Sequence, residues 1–445
     1  LRGAHEIGVG LGGEFTGGRW GDYVGVAQDP QVPNAVWQAN QYSTGGDNWS
    51  TKVSQLQTGG ATYVAIDPLR VLDSRVNVGV TGIFNASSPK TFIVGGFTSP
   101  AGSIPAEAIA VTGNMTVVGQ TAGGYVSITT AATSSPRTAT LNFPVKDTRG
   151  NNVTTPLAGN GRLAAVYKAA AGKKAHLIFD VTGYFLPGPE DAGYNTIDPE
   201  RMLDSRTGED IGLSGRFVSG APRQLAIAGQ GPIPANAVAI TANLTVVGQT
   251  KGGFVSVTPT SVPSPTTANL NFPAGDTRGN GLTAKLSGTG TVWLVYKAAA
   301  GARTDLILDV TGYYLPSGTG LAFFPLDPGR IVDTRSSAVL SGLTGSLLSS
   351  SPRTLDTAGH WGVGSAASAI TGNLTITGQT KGGFVSITPT PDATPTTSSI
   401  NFPLGDTRGN GVTVPLNGSG DMSLVYKSSA GKRTHVILDV TGYFE

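Results

Sequence analysis

The sequence predicts an all-β protein: three tandem β-sandwich domains, Ig-like or jelly-roll-like, behind an N-terminal β segment, with small β-barrels as the alternative. Three observations lead there. A long internal repeat runs through most of the chain, each copy carries a period-two apolar pattern, and the composition is poor in charge and rich in glycine.

Composition sets the class. Charged residues make up 13% of the 445, about half the ~25% usual in soluble proteins. Glycine, at 64 residues, is roughly twice its ordinary ~7% share. This suits short strands and tight turns, not long helices that need Glu, Lys, Leu and Ala in quantity. The hydrophobic fraction of 39% still supplies a core to each domain. A formal net charge of +2 without a dense Lys/Arg run argues against a nucleic-acid partner. No apolar run reaches the ~18 residues of a membrane helix. With no cysteine, disulfide scaffolds and thiolate metal sites are excluded. The four histidines are too scattered to suggest a metal cluster, and no cofactor is expected.

The repeat fixes the organisation. Ile-Asp-Pro-Leu-Arg-Val-Leu-Asp-Ser-Arg at 66–75 returns in variant form at 197–206 and 326–335. Asp-Val-Thr-Gly-Tyr closes each copy at 180–184, 309–313 and 439–443. Between them lie Gly-Gln-Thr-x-Gly-Gly (119–124, 248–253, 378–383) and Asp-Thr-Arg-Gly-Asn (147–151, 276–280, 406–410). A period near 130 residues is too long for a solenoid unit and fits whole domains. The expected domains are 61–187, 193–316 and 321–445, preceded by a segment over 1–60. Short Pro-containing linkers between them predict a semi-rigid rod.

Within a copy, Ile109, Val111, Met115 and Val117 share one strand face, and Thr112, Asn114 and Thr116 the other. The Gly-Gln-Thr-x-Gly-Gly element reads as a hairpin loop. Leu141 and Phe143 form a short inward pair. His-Leu-Ile-Phe-Asp-Val-Thr-Gly-Tyr-Phe at 176–185 is apolar on both faces and reads as a central strand. About eight short strands per copy favour a two-sheet sandwich.

The triple copy of Leu-Asp-Ser/Thr-Arg, Asn-Leu-Thr-Val, Leu-Asn-Phe-Pro and Asp-Val-Thr-Gly-Tyr-Phe resembles a β domain common near the C-termini of large secreted bacterial proteins. In actinobacteria, Chloroflexota and similar groups it trails peptidases, cell-wall enzymes and propellers. The resemblance covers about 62–445. It implies an exported, surface-associated accessory role and transfers no catalytic residue. Residues 19–30 and 35–42 (Arg-Trp-Gly-Asp-Tyr-Val-Gly-Val-Ala-Gln-Asp-Pro and Ala-Val-Trp-Gln-Ala-Asn-Gln-Tyr) resemble the closing strands of a sialidase-like β-propeller. A propeller needs several blades, so this segment reads as a partial blade with no sheet of its own to join. Its apolar groups, among them Trp20, Tyr23, Val26, Trp37 and Trp49, predict a docking element for the chain's own first copy or, preferred, for a copy in the next subunit.

Candidate sites carry two readings each. The Asp/Arg pairs Asp73/Arg75, Asp204/Arg206 and Asp333/Arg335 read as internal ion pairs or as a ligand clamp. The mid-strand carboxylates Asp180, Asp309 and Asp439 need partners, for which those arginines are the natural candidates. Asp147, Arg149, Asn151; Asp276, Arg278, Asn280; and Asp406, Arg408, Asn410 offer donors and acceptors for sugar hydroxyls or a carboxylate. Turn chemistry alone also explains the Asp-Thr and Gly-Asn pairs, and that structural reading is preferred to contact with a ligand or a neighbour. No copy supplies a nucleophile with a base or a catalytic carboxylate pair, so no enzyme activity is expected. The expected function is a non-catalytic extracellular structural or adhesive protein, a self-assembling subunit of a surface fibre, sheath or stalk, with itself as head-to-tail partner. The alternative is a glycan- or cell-wall-binding appendage of a larger secreted hydrolase.

Overall fold

A computed structural model describes residues 59–208, 213–316, 319–336 and 343–445, together with the backbone of three strands before them. Those three, Gly25–Gln28, Ala35–Gly45 and Asn48–Gln57, pair antiparallel with each other. The expectation of strands without a sheet of their own is thereby corrected, because each satisfies its backbone groups on its sequence neighbour. Val26 stands opposite Gln38, Trp37 opposite Ala27 and Gln55, and Trp49 opposite Ser43. Trp20 and Tyr23 lie outside the described residues.

Each copy folds the same way. In the second, eight principal strands run Gly193–Asp204, Arg223–Ala226, Ala239–Val247, Gly253–Thr258, Leu270–Phe272, Arg278–Lys285, Thr291–Lys297 and Arg303–Leu315. One sheet has the order first, eighth, third, sixth; the other has second, seventh, fourth, fifth. First with eighth, second with seventh, third with sixth and fourth with fifth are the pairings of one long antiparallel ribbon wrapped into two sheets, a jelly roll. The first and third copies repeat both orders. Every copy is therefore a sandwich, and the barrel alternative is not adopted. The eighth strand is central in its sheet, and Phe179, Leu308 and Leu438 on it are fully buried.

The Asp-Pro of the repeat sits at a break in strand register, between Ala65 and Leu69, Thr196 and Glu200, or Pro325 and Gly329. Proline has no N–H for the ladder, and a bulge is where its absence does no harm. Three separate apolar cores fill the sandwiches, centred on residues such as Met115 and Phe179, Leu244 and Leu308, and Leu374 and Leu438.

The copies do not form a rod. They stand side by side around a common axis. Tyr63 bridges to Ala192, Tyr194 to Leu321, and Phe323 pairs with Ala61, so the three strand starts form a closed cycle. The rod expectation fails because the linkers, although short, turn the chain back at the same end of each sandwich. Side-by-side packing also buries a fourth apolar cluster shared by all three copies. Tyr63, Tyr194 and Phe323 alternate there with Phe185, Tyr314 and Phe444, all at most 2% exposed. Their neighbouring centroids lie 4.3 or 5.1–5.2 Å apart, around the short end of the roughly 4.5–7 Å of favourable aromatic pairs. The glycine of Asp-Val-Thr-Gly-Tyr is required here: a Cβ on Gly183, Gly312 or Gly442 would run into the ring of Tyr63, Tyr194 or Phe323.

Candidate functional site

The repeated polar residues converge on the axis between the copies. Each Asp-Thr-Arg-Gly-Asn opens the sixth strand, at the edge of its sheet, and so faces the neighbouring copies. Arg149 donates to Asp147 of its own loop at 2.6 Å and to Asp406 of the third copy at 2.8 Å. Arg278 likewise joins Asp276 at 2.7 Å and Asp147 at 2.8 Å. Arg408 joins Asp406 at 2.7 Å and Asp276 at 2.8 Å. Three arginines and three aspartates thus alternate in a closed ring of zero net charge.

The ring is buried. The three arginine side chains are 2–3% exposed and the carboxylates 12–15%. Each guanidinium also donates to a carbonyl in its own copy: Asn142, Asn271 or Asn401. Burial pushes the Asp406 carboxyl up, but the Arg149 and Arg408 guanidiniums outweigh it and hold the group below the usual carboxylate range. Charges this deep survive only when paired and hydrogen-bonded on every side.

Two residues further along each sixth strand, the asparagines form a second cycle. Asn151 donates to Asn373 at 2.7 Å, Asn280 to Asn114 at 2.9 Å and Asn410 to Asn243 at 2.9 Å. Their carbonyl oxygens accept backbone N–H groups of the next copy, from Gly411, Asn152 and Gly281 respectively. Here the backbones almost touch, and a Cβ on Gly281 or Gly411 would clash with the carbonyl of Gly411 or Asn152. The partner asparagines Asn114, Asn243 and Asn373 are 3–7% exposed, and each also donates to a carbonyl of the adjacent copy: Ala268, Ser398 or Ala139.

The remaining candidates are internal pairs. Arg75, Arg206 and Arg335 each clasp Asp73, Asp204 or Asp333 two residues before, at 2.5–2.7 Å. They are not the partners of the mid-strand carboxylates. Those are Arg70, Arg201 and Arg330, which reach Asp180, Asp309 and Asp439 at 2.8–2.9 Å. The arginine four residues after the motif's Ile/Leu lies directly opposite the aspartate in the strand register, whereas the later arginine has already left the strand at the turn. Arg70 and Arg201 extend further to the Thr266 and Thr396 carbonyls of the next copy.

Between the second and third copies lies a cavity of about 20 Å³ lined by Asn243, Asp309, Ser399 and Asn410. A similar one, also about 20 Å³, lies between the first and third against Asn373 and Asp439. Each has room for a single water and is far below the ~300 Å³ of a small-molecule site. Among the described residues there is no group of three or more His, Cys, Asp or Glu placed to hold a metal, and no helix long and apolar enough to cross a membrane.

Neither protein-family models nor curated proteins give a match to this chain. Among solved structures, the chain is similar to one described as the atomic structure of Sulfolobus turreted icosahedral virus, at 10% identity, with 92% of this chain and 91% of that chain covered and a TM-score of 0.16. A second, described as the triple jelly roll fold and turret assembly in an archaeal virus, shares 12% identity over 98% of each chain, again with a TM-score of 0.16. At that score neither adds to what the strand order already establishes.

Proposed function

We propose that the chain is a non-catalytic extracellular protein whose work is architectural, a self-assembling subunit of a surface fibre, sheath or stalk. One observation carries this reading: the richest polar constellation in the molecule is consumed in holding the copies together. Asp147, Arg149 and Asn151 and their counterparts face one another, with each arginine bonded to two carboxylates and a carbonyl. What this arrangement yields is one stiff body in place of three jointed ones, the property a load-bearing subunit needs. The resemblance of the repeat to trailing domains of secreted bacterial proteins supports a place outside the cell.

Electron microscopy and light scattering of the purified full chain test the reading. Ordered polymers or defined oligomers support it, and deleting residues 1–58 should leave the three-copy body folded but reduce assembly. A strictly monomeric full chain at all concentrations and ionic strengths contradicts self-assembly. Turnover of a peptide, glycan or ester that a single substitution abolishes contradicts the non-catalytic assignment.

A further inference from the structure

The exposed charges divide between the two ends of the body. At one end, the hairpin between the seventh and eighth strands of each copy meets the Gly-Gln-Thr-x-Gly-Gly loop, with Thr121, Thr250 and Thr380 donating to the carbonyls of Lys174, Arg303 and Arg433. That loop in turn touches the axial ring, through Gln120, Gln249 and Gln379 on the carbonyls of Asp147, Asp276 and Asp406. The hairpins therefore encircle the axis, and at equivalent positions they present Lys174, Arg303 and Arg433, all exposed. Lys146, Lys251 and Lys381 add one further exposed cation per copy at the same end.

The carboxylates described at this end are already engaged. Asp147, Asp276 and Asp406 belong to the ring; Asp73, Asp204 and Asp333 are clasped by arginines; Asp305 faces Arg216 at 3.3 Å. Among the described residues, none of the six cations is paired with a carboxylate.

The opposite end, where the aromatic cluster sits and the linkers turn, has the reverse sign. Glu107 and Glu190 are exposed and Asp191 half-buried beside the first linker, while Asp356 and Asp421 face each other where two strands of the third copy end. Against them stand Arg162, half-buried, Lys285, which is paired with Asp67 at 3.1 Å, and His360, which is paired with Asp356 at 3.0 Å.

We infer that copies of this chain stack along their shared axis, the Lys174–Arg303–Arg433 end of one against the Glu107–Glu190–Asp356 end of the next. The inference rests on the self-assembly reading and specifies the surfaces that meet. Opposite charge on opposite ends makes a heterologous contact, which does not close on itself and propagates into a filament. It also rejects the two head-to-head arrangements, since like charges would be juxtaposed. The contact uses surface charge, so it is screened as the Debye length shrinks from about 10 Å at 0.1 M salt to about 3 Å at 1 M.

The test is sedimentation velocity of the full chain at low and high salt, with three variants. Lys174→Glu/Arg303→Glu/Arg433→Glu should weaken association at low salt by about tenfold or more, with an unchanged circular dichroism spectrum. Glu107→Lys/Glu190→Lys/Asp356→Lys should do the same. A mixture of these two variants should regain assembly with the two alternating in equal amounts, and a chain carrying all six changes should assemble again. Assembly that is indifferent to both reversals overturns the stacking surfaces while leaving self-assembly intact. A wild-type chain that never associates overturns self-assembly itself. Binding of soluble dextran sulfate through Lys174, Arg303 and Arg433, with no association between chains, would mean that the basic end serves a polyanion and would overturn stacking.

Discussion

Arg149, in the first copy, grips Asp406, 257 residues later in the third, in a fork at 2.8 and 3.2 Å. Two counterparts complete the circle, so each copy gives an arginine to one neighbour and receives one from the other. The cycle closes with the third copy, each pair of neighbours sharing one such contact. It fixes the copies' number and register more firmly than apolar packing alone, a use for which buried polar groups are known.

Arg149→Ala should destabilise the protein by roughly 3–5 kcal/mol, because Asp147 and Asp406 are left buried without it. Lys285→Ala, in a pair with Asp67 whose side chains are 39% and 65% exposed, should cost only about 0–1 kcal/mol. Urea unfolding of the two variants measures both. Equal losses would mean that the ring has no special weight.

Gly281→Ala should cost on the order of 1–3 kcal/mol, since the added methyl meets the Gly411 carbonyl across the axis. Gly301→Ala, in open space at a hairpin tip but at a φ of +74°, serves as a control for backbone strain alone. Its thermal unfolding should show a single transition. Gly281→Ala should instead separate the unfolding of the second copy from the others, and failure to broaden the transition would contradict tight axial packing.

Acid should weaken the Asp333 clasp. Hydrogen bonds from Arg335 hold the Asp333 carboxyl below its ordinary value of 3.8. The folded pKa is thus the lower of the two, so the stabilisation is complete above the unfolded value and lost as pH falls through the folded one. Asp333→Asn should therefore be less stable than the parent at neutral pH, with a deficit that shrinks below about pH 4. Denaturant midpoints of the pair between pH 2 and pH 7 check this, and a constant deficit would contradict it.

Much of this fold is legible in the chain. The repeat, the period-two faces of Ile109–Val117 and the doubly apolar closing strand point to three sandwiches with that strand central, which is where the structure has it. The arrangement of the copies was not legible from linker length, because a short linker is compatible with either a straight path or a reversal. A signal did exist in the positions occupied by Tyr63, Tyr194 and Phe323 and by Phe185, Tyr314 and Phe444. Rings kept in every copy beside strand ends fit a shared apolar cluster better than three separate surfaces. The polar strand face carrying Asn114, Asn243 and Asn373 was a second signal: period two marks it as distinct from the core but not whether water or a neighbour covers it. Arg70, Arg201 and Arg330 were not legible as partners because cross-strand register, which proximity in the chain does not reveal, decides the partner of Asp180.

Small-angle X-ray scattering of the full chain in high salt, where stacking is screened, tests the central claim that the copies form one body around an axis. A single compact particle of 445 residues has a radius of gyration of about 22 Å by the usual scaling. The account predicts a value near this, raised by a few ångströms at most by the N-terminal segment, together with a single-peaked distance distribution. A radius well beyond 30 Å, with the long tail of an end-to-end rod, would contradict it.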